Sequence, residues 1–394
     1  MSGGVDSSVA AALMKKKGCD VVGVFIRPWQ PTNSQIDCLW KQDREDALRV
    51  AAKMDIPLLT WDLSKEYEKR VAKYMIKGYQ KGITPNPDVM CNKFIKFGVF
   101  LERALKMGAD YIATGHYVRI SKFKNQNAKL LKAKDKNKDQ SYFLYTFTQE
   151  QLKHCLFPIG DWTKPEVRLM AKKFGLPNWD KKDSQGVCFV GPFEFSKFLK
   201  KQIEPKTGLV IRKSDGQILG NHDGVWFYTI GQRHGIRIAH YERAHPNEDS
   251  KPHYVVDKDV EKNVLYVDVR RAGVIQLAHS RPFQRGAPRS SAVLSSYART
   301  KPKRPPNPLA EQLPRGLFQT LQVKDFNWIN KEENLPFDCK VKTRYRQEDL
   351  DCVILKNGGS RAEIKIAAEN ILIAPGQSAV FYKDDEILGG GIIV

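Results

Sequence analysis

In the run Thr84-Pro85-Asn86-Pro87-Asp88-Val89-Met90-Cys91-Asn92-Lys93 a carboxylate stands three residues before a thiol, behind a proline-stiffened segment. At that spacing Asp88 and Cys91 share one helical turn, so the carboxylate can exchange protons at the group on which the thiol acts. Much later, Ser184-Gln185-Gly186-Val187-Cys188-Phe189 sets a second thiol in a glycine-containing loop. Taken alone, two distant loop cysteines are also compatible with coincidence or core packing. The third candidate is Ser2-Gly3-Gly4-Val5-Asp6-Ser7-Ser8, followed by the alanine-rich stretch Val9-Ala10-Ala11-Ala12-Leu13. Glycines let the backbone wrap an anion, and the hydroxyls and helix-start N–H groups supply donors where the helix dipole favours negative charge. This is a phosphate loop. It lacks the G-x-x-x-x-G-K-[ST] pattern, which excludes a Walker-type site for γ-phosphate transfer.

Such a loop is presented at the C-terminal edge of a sheet by a buried strand that leads into it. Nothing precedes Met1, so the expectation is either a late start or another segment in that slot. Up to about residue 200, short apolar runs (Cys19–Ile26, Pro57–Trp61, Ala109–Thr114) alternate with longer amphipathic stretches, the pattern of a parallel α/β sheet. Beyond it short β-rich runs take over. Val210-Ile211 and Gln217-Ile218-Leu219 flank Ser214-Asp215-Gly216 as a hairpin. Lys340–Arg344, Cys352–Leu355, Ala362–Ile366 and Ser378–Tyr382 predict a small β-barrel or sandwich. The domains expected are 1–203, 204–268 and 269–394. Lys122–Lys138, with seven lysines, is expected to be a solvated loop or hairpin. Residues 281–320 carry seven prolines, eight Lys/Arg and one acidic residue, the composition of a flexible basic insertion.

The 394 residues hold 65 Lys+Arg against 44 Asp+Glu, a net charge of +21, which calls for a polyanionic partner: nucleic acid first, an acidic membrane surface second. No apolar run approaches the ~18–20 residues of a membrane span, and a mean hydropathy of −0.47 fits a soluble globular chain. Seven scattered cysteines without a C-x-x-C pair exclude a secreted disulfide framework or zinc finger and imply a reducing compartment.

The S-G-G-x-D-S run resembles the PP-loop of ATP pyrophosphatases. Together with Thr84–Lys93, Ala113–Tyr117, Lys138–Ser141, Phe157–Gly160, Ser184–Gly191, Tyr228–Arg233, Lys342–Arg346 and Gly376–Tyr382, it makes the chain resemble the tRNA-specific 2-thiouridylases over almost its whole length. The resemblance implies a PP-loop α/β domain, a small β-rich domain and a C-terminal β-barrel. The implied activity is ATP-dependent exchange of oxygen for sulfur at C2 of the wobble uridine of tRNA, by adenylation at O2. It further implies that Cys188 carries the sulfur as a persulfide received from an upstream donor protein. Cys91 would release it through a disulfide or attack directly, with Asp88 as general acid/base. Ser2, Gly3, Gly4, Val5, Asp6, Ser7 and Ser8 would hold the ATP phosphates through Mg²⁺, and Ile26 and Gly115 would pack on the adenosine. Asn86, Pro87 and Asp88 would embrace the target base, and His116, Lys138, Asp139, Gln140, Arg344, Tyr345 and Gln377 would contact the anticodon stem-loop.

Alone, Ile26 is equally a core residue, His116 a strand-end structural histidine and Arg344 a solvated barrel residue. No resident metal is expected among the side chains, and the chain is expected to be a monomer without membrane attachment. A mitochondrial location is expected, with a bacterial-type cytoplasm as the alternative. Rival readings are another PP-loop activity on a small molecule, delivery of sulfide by an iron–sulfur cluster on Asp88, Cys91 and Cys188, and a tRNA-binding protein with impaired catalysis owing to the missing first strand.

Overall fold

A computed structural model describes residues 1–30, 39–121, 127–183, 195–236, 252–269, 318–368 and 371–394. The N-terminal part opens with helix α1 (Val5–Lys16), whose buried residues Val9, Ala10, Ala11 and Ala12 allow close packing and whose Asp6 and Lys15/Lys16 complement the dipole at either end. Strand β1 (Gly23–Arg27), helix α2 (Leu39–Lys53) and strand β2 (Leu58–Asp62) follow, with β1 and β2 parallel. Helices α3 (Ser64–Tyr67) and α4 (Lys73–Gln80) belong to one long helical run, and α5 (Pro87–Cys91) continues through wider turns over Asn92–Val99 into α6 (Phe100–Lys106). Strands β3 (Ile112–Ala113) and β6 (Cys155–Leu156) form a second parallel pair, separated in sequence by the antiparallel hairpin β4 (Arg119–Ser121)/β5 (Lys129–Leu131) and by α7 (Gln149–Lys153). Helices α8 (Lys164–Lys173) and α9 (Phe195–Gln202) complete this part.

The middle sheet runs β8 (Ile218–His222), β7 (Gly208–Arg212), β10 (Val264–Val269), β9 (His253–Asp259), over a core of Val210, Leu219, Val255, Leu265 and Val267. The hairpin expected around Asp215 is β7/β8.

The C-terminal part is a closed barrel of six strands: β11 (Phe318–Trp328), β12 (Phe337–Lys342), β13 (Leu350–Asn357), β14 (Arg361–Ala367), β15 (Ser378–Lys383) and β16 (Glu386–Ile393). The order is β11-β14-β13-β12-β15-β16, and β16 pairs back onto β11. Strict alternation along β14 turns Ala362, Ile364 and Ile366 into the barrel, where they meet Val323, Val341, Ile354 and Phe381. Closure pairs β11 and β16 with each other, and the edge that β16 still offers near Glu386 is taken by β5.

Several expectations change. The first apolar run becomes a strand only from Gly23, and Cys19 is exposed. Cys91 is not a loop residue; it ends α5 and is fully buried. Of the lysine-rich stretch, residues 122–126 lie outside the described residues; β5 pairs with β4 in the expected hairpin, but it is not merely solvated, because Ala128 and Leu130 are buried and β5 also pairs with β16 of the barrel. The basic insertion expected over 281–320 reaches too far: Phe318, Gln319 and Thr320 are already paired in β11 with β14, while 281–317 lies outside the described residues.

The first and last parts share one apolar core, in which Val89, Cys91, Phe97, Leu130, Tyr142 and Tyr145 pack with Val380, Tyr382, Ile387 and Ile392. Tyr142 pins the seam: its hydroxyl donates to the Ser378 carbonyl at 2.9 Å, lies 3.3 Å from the Thr343 carbonyl and accepts from Ser378 N at 3.3 Å. Replacing Tyr142 by Phe keeps the shape but leaves these buried groups short of a partner, and should cost about 1–3 kcal/mol, read as a lower urea midpoint with the fold retained by circular dichroism.

Candidate active site

The phosphate loop is shaped by its own hydroxyls. Ser2 N donates to Ser7 Oγ (3.1 Å), and Ser7 and Ser8 Oγ donate to the Gly4 carbonyl at 3.1 and 2.9 Å. Two glycines are sterically required. Gly3 has φ +75°, and a Cβ there would lie 2.1 Å from the Asp43 carbonyl oxygen. Gly115, after β3, would bring a Cβ within 2.6 Å of the Ser7 nitrogen. Behind the loop, Asn178 donates to the Gly3 carbonyl (2.9 Å) and Ser8 Oγ (3.0 Å).

Around it stands a charge cluster of which the motifs name Asp6 and Lys138 but not Lys164, Arg168, Lys181 or Asp183. Lys164, the first residue of α8, is nearly buried and places Nζ 2.7 Å from Asp6 Oδ1 and 2.9 Å from Asp183 Oδ1. Tyr117 also donates to Asp6 Oδ1, at 2.9 Å. Burial and the neighbouring Asp6 carboxylate push the Tyr117 phenol far above its usual value, so it stays a donor. Asp183 receives Lys138 at 2.7 Å and Arg168 at 2.8 Å as well. Partial burial pushes its carboxyl up, but the hydrogen bonds from Lys138 and Lys164 outweigh this and hold it well below the carboxylate range. Lys181 closes the group on Asp43 (2.7 Å) and Asp46 (2.5 Å). For Asp183 the sequence offers one signal, its position directly before the Ser184–Cys188 motif. A glycine-shaped loop at a helix start, ringed by lysines and an arginine, suits the phosphates of a nucleotide.

The thiol helix is built locally. Asn86 caps α5 by accepting from Val89 N at 3.3 Å, and Pro87 takes the first helical position, where its missing N–H costs nothing. Asp88 and Cys91 thereby share the single turn of α5, Asp88 partly exposed and Cys91 buried. Cys188 lies outside the described residues. His116 links this helix to the loop. It follows Gly115, its Nδ1 is 2.8 Å from Thr114 Oγ1, and its Nε2 is 3.4 Å from Lys96 Nζ, five residues beyond Cys91. An ammonium can only donate, so Nε2 is the acceptor and Nδ1 carries the proton. Burial first, and the Lys96 charge second, hold His116 well below its ordinary pKa near 6.5.

The remaining residues expected to contact RNA are engaged within the fold. Lys138 is paired with Asp183; Asp139 accepts from Ala133 N, Ser141 N and Ser141 Oγ; Gln140 accepts from Tyr117 N at 3.0 Å. Arg344 donates to the carbonyls of Ile230 (2.6 Å) and Leu372 (2.8 Å), joining middle sheet to barrel. Tyr345 packs its ring 4.6 Å from that of Phe143. Gln377 donates to the Thr84 carbonyl at 2.9 Å. Ile26 sits half-buried in β1 opposite Trp61, against the main core. Among the described residues no group of three or more His, Cys, Asp or Glu side chains is placed to hold a metal ion, and no helix is long and apolar enough to cross a membrane.

Three family models match the chain: a tRNA methyl transferase HUP domain over residues 1–192, a tRNA methyl transferase PRC-barrel domain over 196–268 and an aminomethyltransferase beta-barrel domain over 318–393. Among curated proteins, the chain is 40% identical to the tRNA-specific 2-thiouridylase MnmA of Geobacillus thermodenitrificans, covering 100% of this chain and 93% of the relative. It is 41% identical to the MnmA proteins of Colwellia psychrerythraea and Legionella pneumophila subsp. pneumophila, covering all of this chain and 94% and 96% of theirs.

Unfolded His116 takes up a proton near pH 6.5, folded His116 only well below it. The unfolded state therefore binds more protons in that window, and stability falls as the pH drops below about 6.5. Substituting His116 by Gln should flatten this acid limb in urea titrations at pH 7 and pH 5.5. Lys164→Met leaves Asp6 and Asp183 without their shared cation, and should raise the KM for ATP in a pyrophosphate-release assay by about tenfold or more.

Proposed function

The chain belongs to the tRNA-specific 2-thiouridylase family, and from this premise we propose that it replaces the C2 oxygen of the wobble uridine of tRNA by sulfur, at the expense of ATP. The observation that supports this reading best is the Thr114-Gly115-His116 segment, which touches the phosphate loop through Gly115 and the helix of Cys91 through His116 and Lys96. A nucleotide loop and a thiol–carboxylate turn are thus neighbours on one strand end.

The loop residues Ser2–Ser8, with Lys164 behind Asp6, fit the phosphates of ATP, and Gly115 leaves room at the loop backbone. Mg²⁺ would travel on the phosphates, with Asp6 as the nearby carboxylate. When bound, ATP supplies the adenylyl group that turns O2 of the uridine into a good leaving group, AMP, with release of pyrophosphate. Asn86, Pro87 and Asp88 receive the splayed-out base, since C2 of a stacked anticodon base is out of reach. Asp88, partly exposed at the start of α5, exchanges protons there.

Cys188 brings the sulfur as a persulfide from an upstream donor protein. The Cys91 thiolate attacks the Cys188 sulfur bonded to the chain, a Cys91–Cys188 disulfide forms, and hydrosulfide leaves to attack C2. AMP departs as C2=S forms, and an external thiol reduces the disulfide before the next turnover. The +21 charge gives the anticodon stem a cationic surface, and binding should weaken as salt rises.

The test is thiolation of unmodified tRNA with ATP, Mg²⁺ and a sulfur source, reading 2-thiouridine by mass spectrometry. The parent chain should make product, and Cys188→Ser and Cys91→Ser none. Asp88→Asn should be slower by roughly 10²–10⁴-fold. Product from Cys188→Ser at the parent's rate would overturn the persulfide route. Iron and acid-labile sulfide in active, anaerobically purified protein would replace it by the cluster route.

A further inference from the structure

The segment that delivers Asp88 and Cys91 is held from outside its own domain. Thr84 N donates to the Pro375 carbonyl at 2.8 Å. Gln377 Nε2 donates to the Thr84 carbonyl at 2.9 Å and reaches the Pro85 carbonyl at 3.4 Å. Thr84 is buried, and its Oγ1 is 3.2 Å from Thr229 Oγ1 of the middle domain. Three parts of the chain meet at this residue, two positions before the cap of the thiol helix.

The holder is itself rigid. The Gln377 carbonyl accepts from Ile393 N at 2.8 Å, and Gln377 N donates to the Ala374 carbonyl at 3.2 Å, which locks residue 377 into the closing strands of the barrel. An amide nitrogen carries two hydrogens, and here it is turned toward two successive carbonyls of the loop. Those donors are therefore occupied, which distinguishes this side chain from one presented to RNA.

We propose that Gln377 is a positioning residue for the thiolation reaction: it fixes the Thr84–Pro85 peptides so that Asp88 and Cys91 face the target base, and thereby makes the barrel part of the catalytic geometry. The inference rests on the thiolation reading above. It adds that the barrel acts on the chemical step, besides any contact it makes with tRNA.

The test uses the full chain with Gln377→Glu, which keeps length and shape but turns a carboxylate toward the two carbonyls, and Gln377→Asn, which keeps the donors one methylene short. Positioning predicts that kcat for 2-thiouridine formation falls roughly 10- to 100-fold in Gln377→Glu, less in Gln377→Asn, with KM for tRNA within twofold of the parent. Hydrogen exchange of the 84–91 backbone should speed up in both variants while the β13/β14 amides stay protected. A rise in KM with unchanged kcat would assign Gln377 to tRNA contact and overturn the proposal, as would unchanged exchange over 84–91. Should Gln377→Glu fail to fold, Gln377→Asn carries both readouts. If the parent chain makes no 2-thiouridine, the thiolation reading falls, while the exchange measurement still decides whether Gln377 holds the loop.

Discussion

The arrangement depends on a contact that admits no side-chain carbon: the backbone at Gly115 lies against the Asp6–Ser7 peptide. Any Cβ at 115 would have to displace either the phosphate loop or the strand end. The next residue, His116, lies in the core between Phe97 and Phe157, where its ring is neutral and reaches Lys96. The loop that suits a nucleotide and the helix that carries Cys91 are therefore spaced by two residues of one strand end. The short linkage through packed groups leaves little freedom between them.

Charge is distributed to match. A lysine as buried as Lys164 is tolerated because two carboxylates, Asp6 and Asp183, accept from it, and Asp183 in turn gathers Lys138 and Arg168. With Lys181 on Asp43 and Asp46, the group balances four cations (Lys138, Lys164, Arg168, Lys181) against four carboxylates (Asp6, Asp43, Asp46, Asp183) beside the loop. Lys138 takes part in this network, while Asp139 accepts from the Ala133 and Ser141 N–H groups and Gln140 from that of Tyr117. Residues that family resemblance links to RNA thus also serve the local architecture of the nucleotide site.

The C-terminal barrel is more than an appended module. Its outer residues Val380, Tyr382, Ile387 and Ile392 share a core with the first domain, and Tyr142 and Gln377 bond across the seam. Closing the barrel satisfies its own strands, so the remaining polar groups at residues 375–377 are available to hold Thr84. The middle sheet joins through Thr229 and through Arg344, whose guanidinium spans two carbonyls of different domains.

The amino-acid sequence by itself determined what depends on neighbours along the chain. The phosphate loop at a helix start follows from glycines and hydroxyls within seven residues. The turn bearing Asp88 and Cys91 follows from the Asn86 cap and Pro87. The β7/β8 hairpin follows from Asp215-Gly216, and the strand-rich C-terminal part from alternation such as that of β14. Only the tertiary structure decided the rest, because its partners lie far apart in sequence and no periodicity encodes them. Lys164 meets Asp6 across 158 residues, and Gln377 meets Thr84 across 293. Lys129 meets Glu386 of the barrel across 257 residues, where the lysine-rich hairpin sits on β16. Burial, too, was decided there: composition marks Cys91 and His116 as reactive types, but packing alone sets one thiol and one imidazole in the interior, where desolvation keeps the imidazole of His116 neutral.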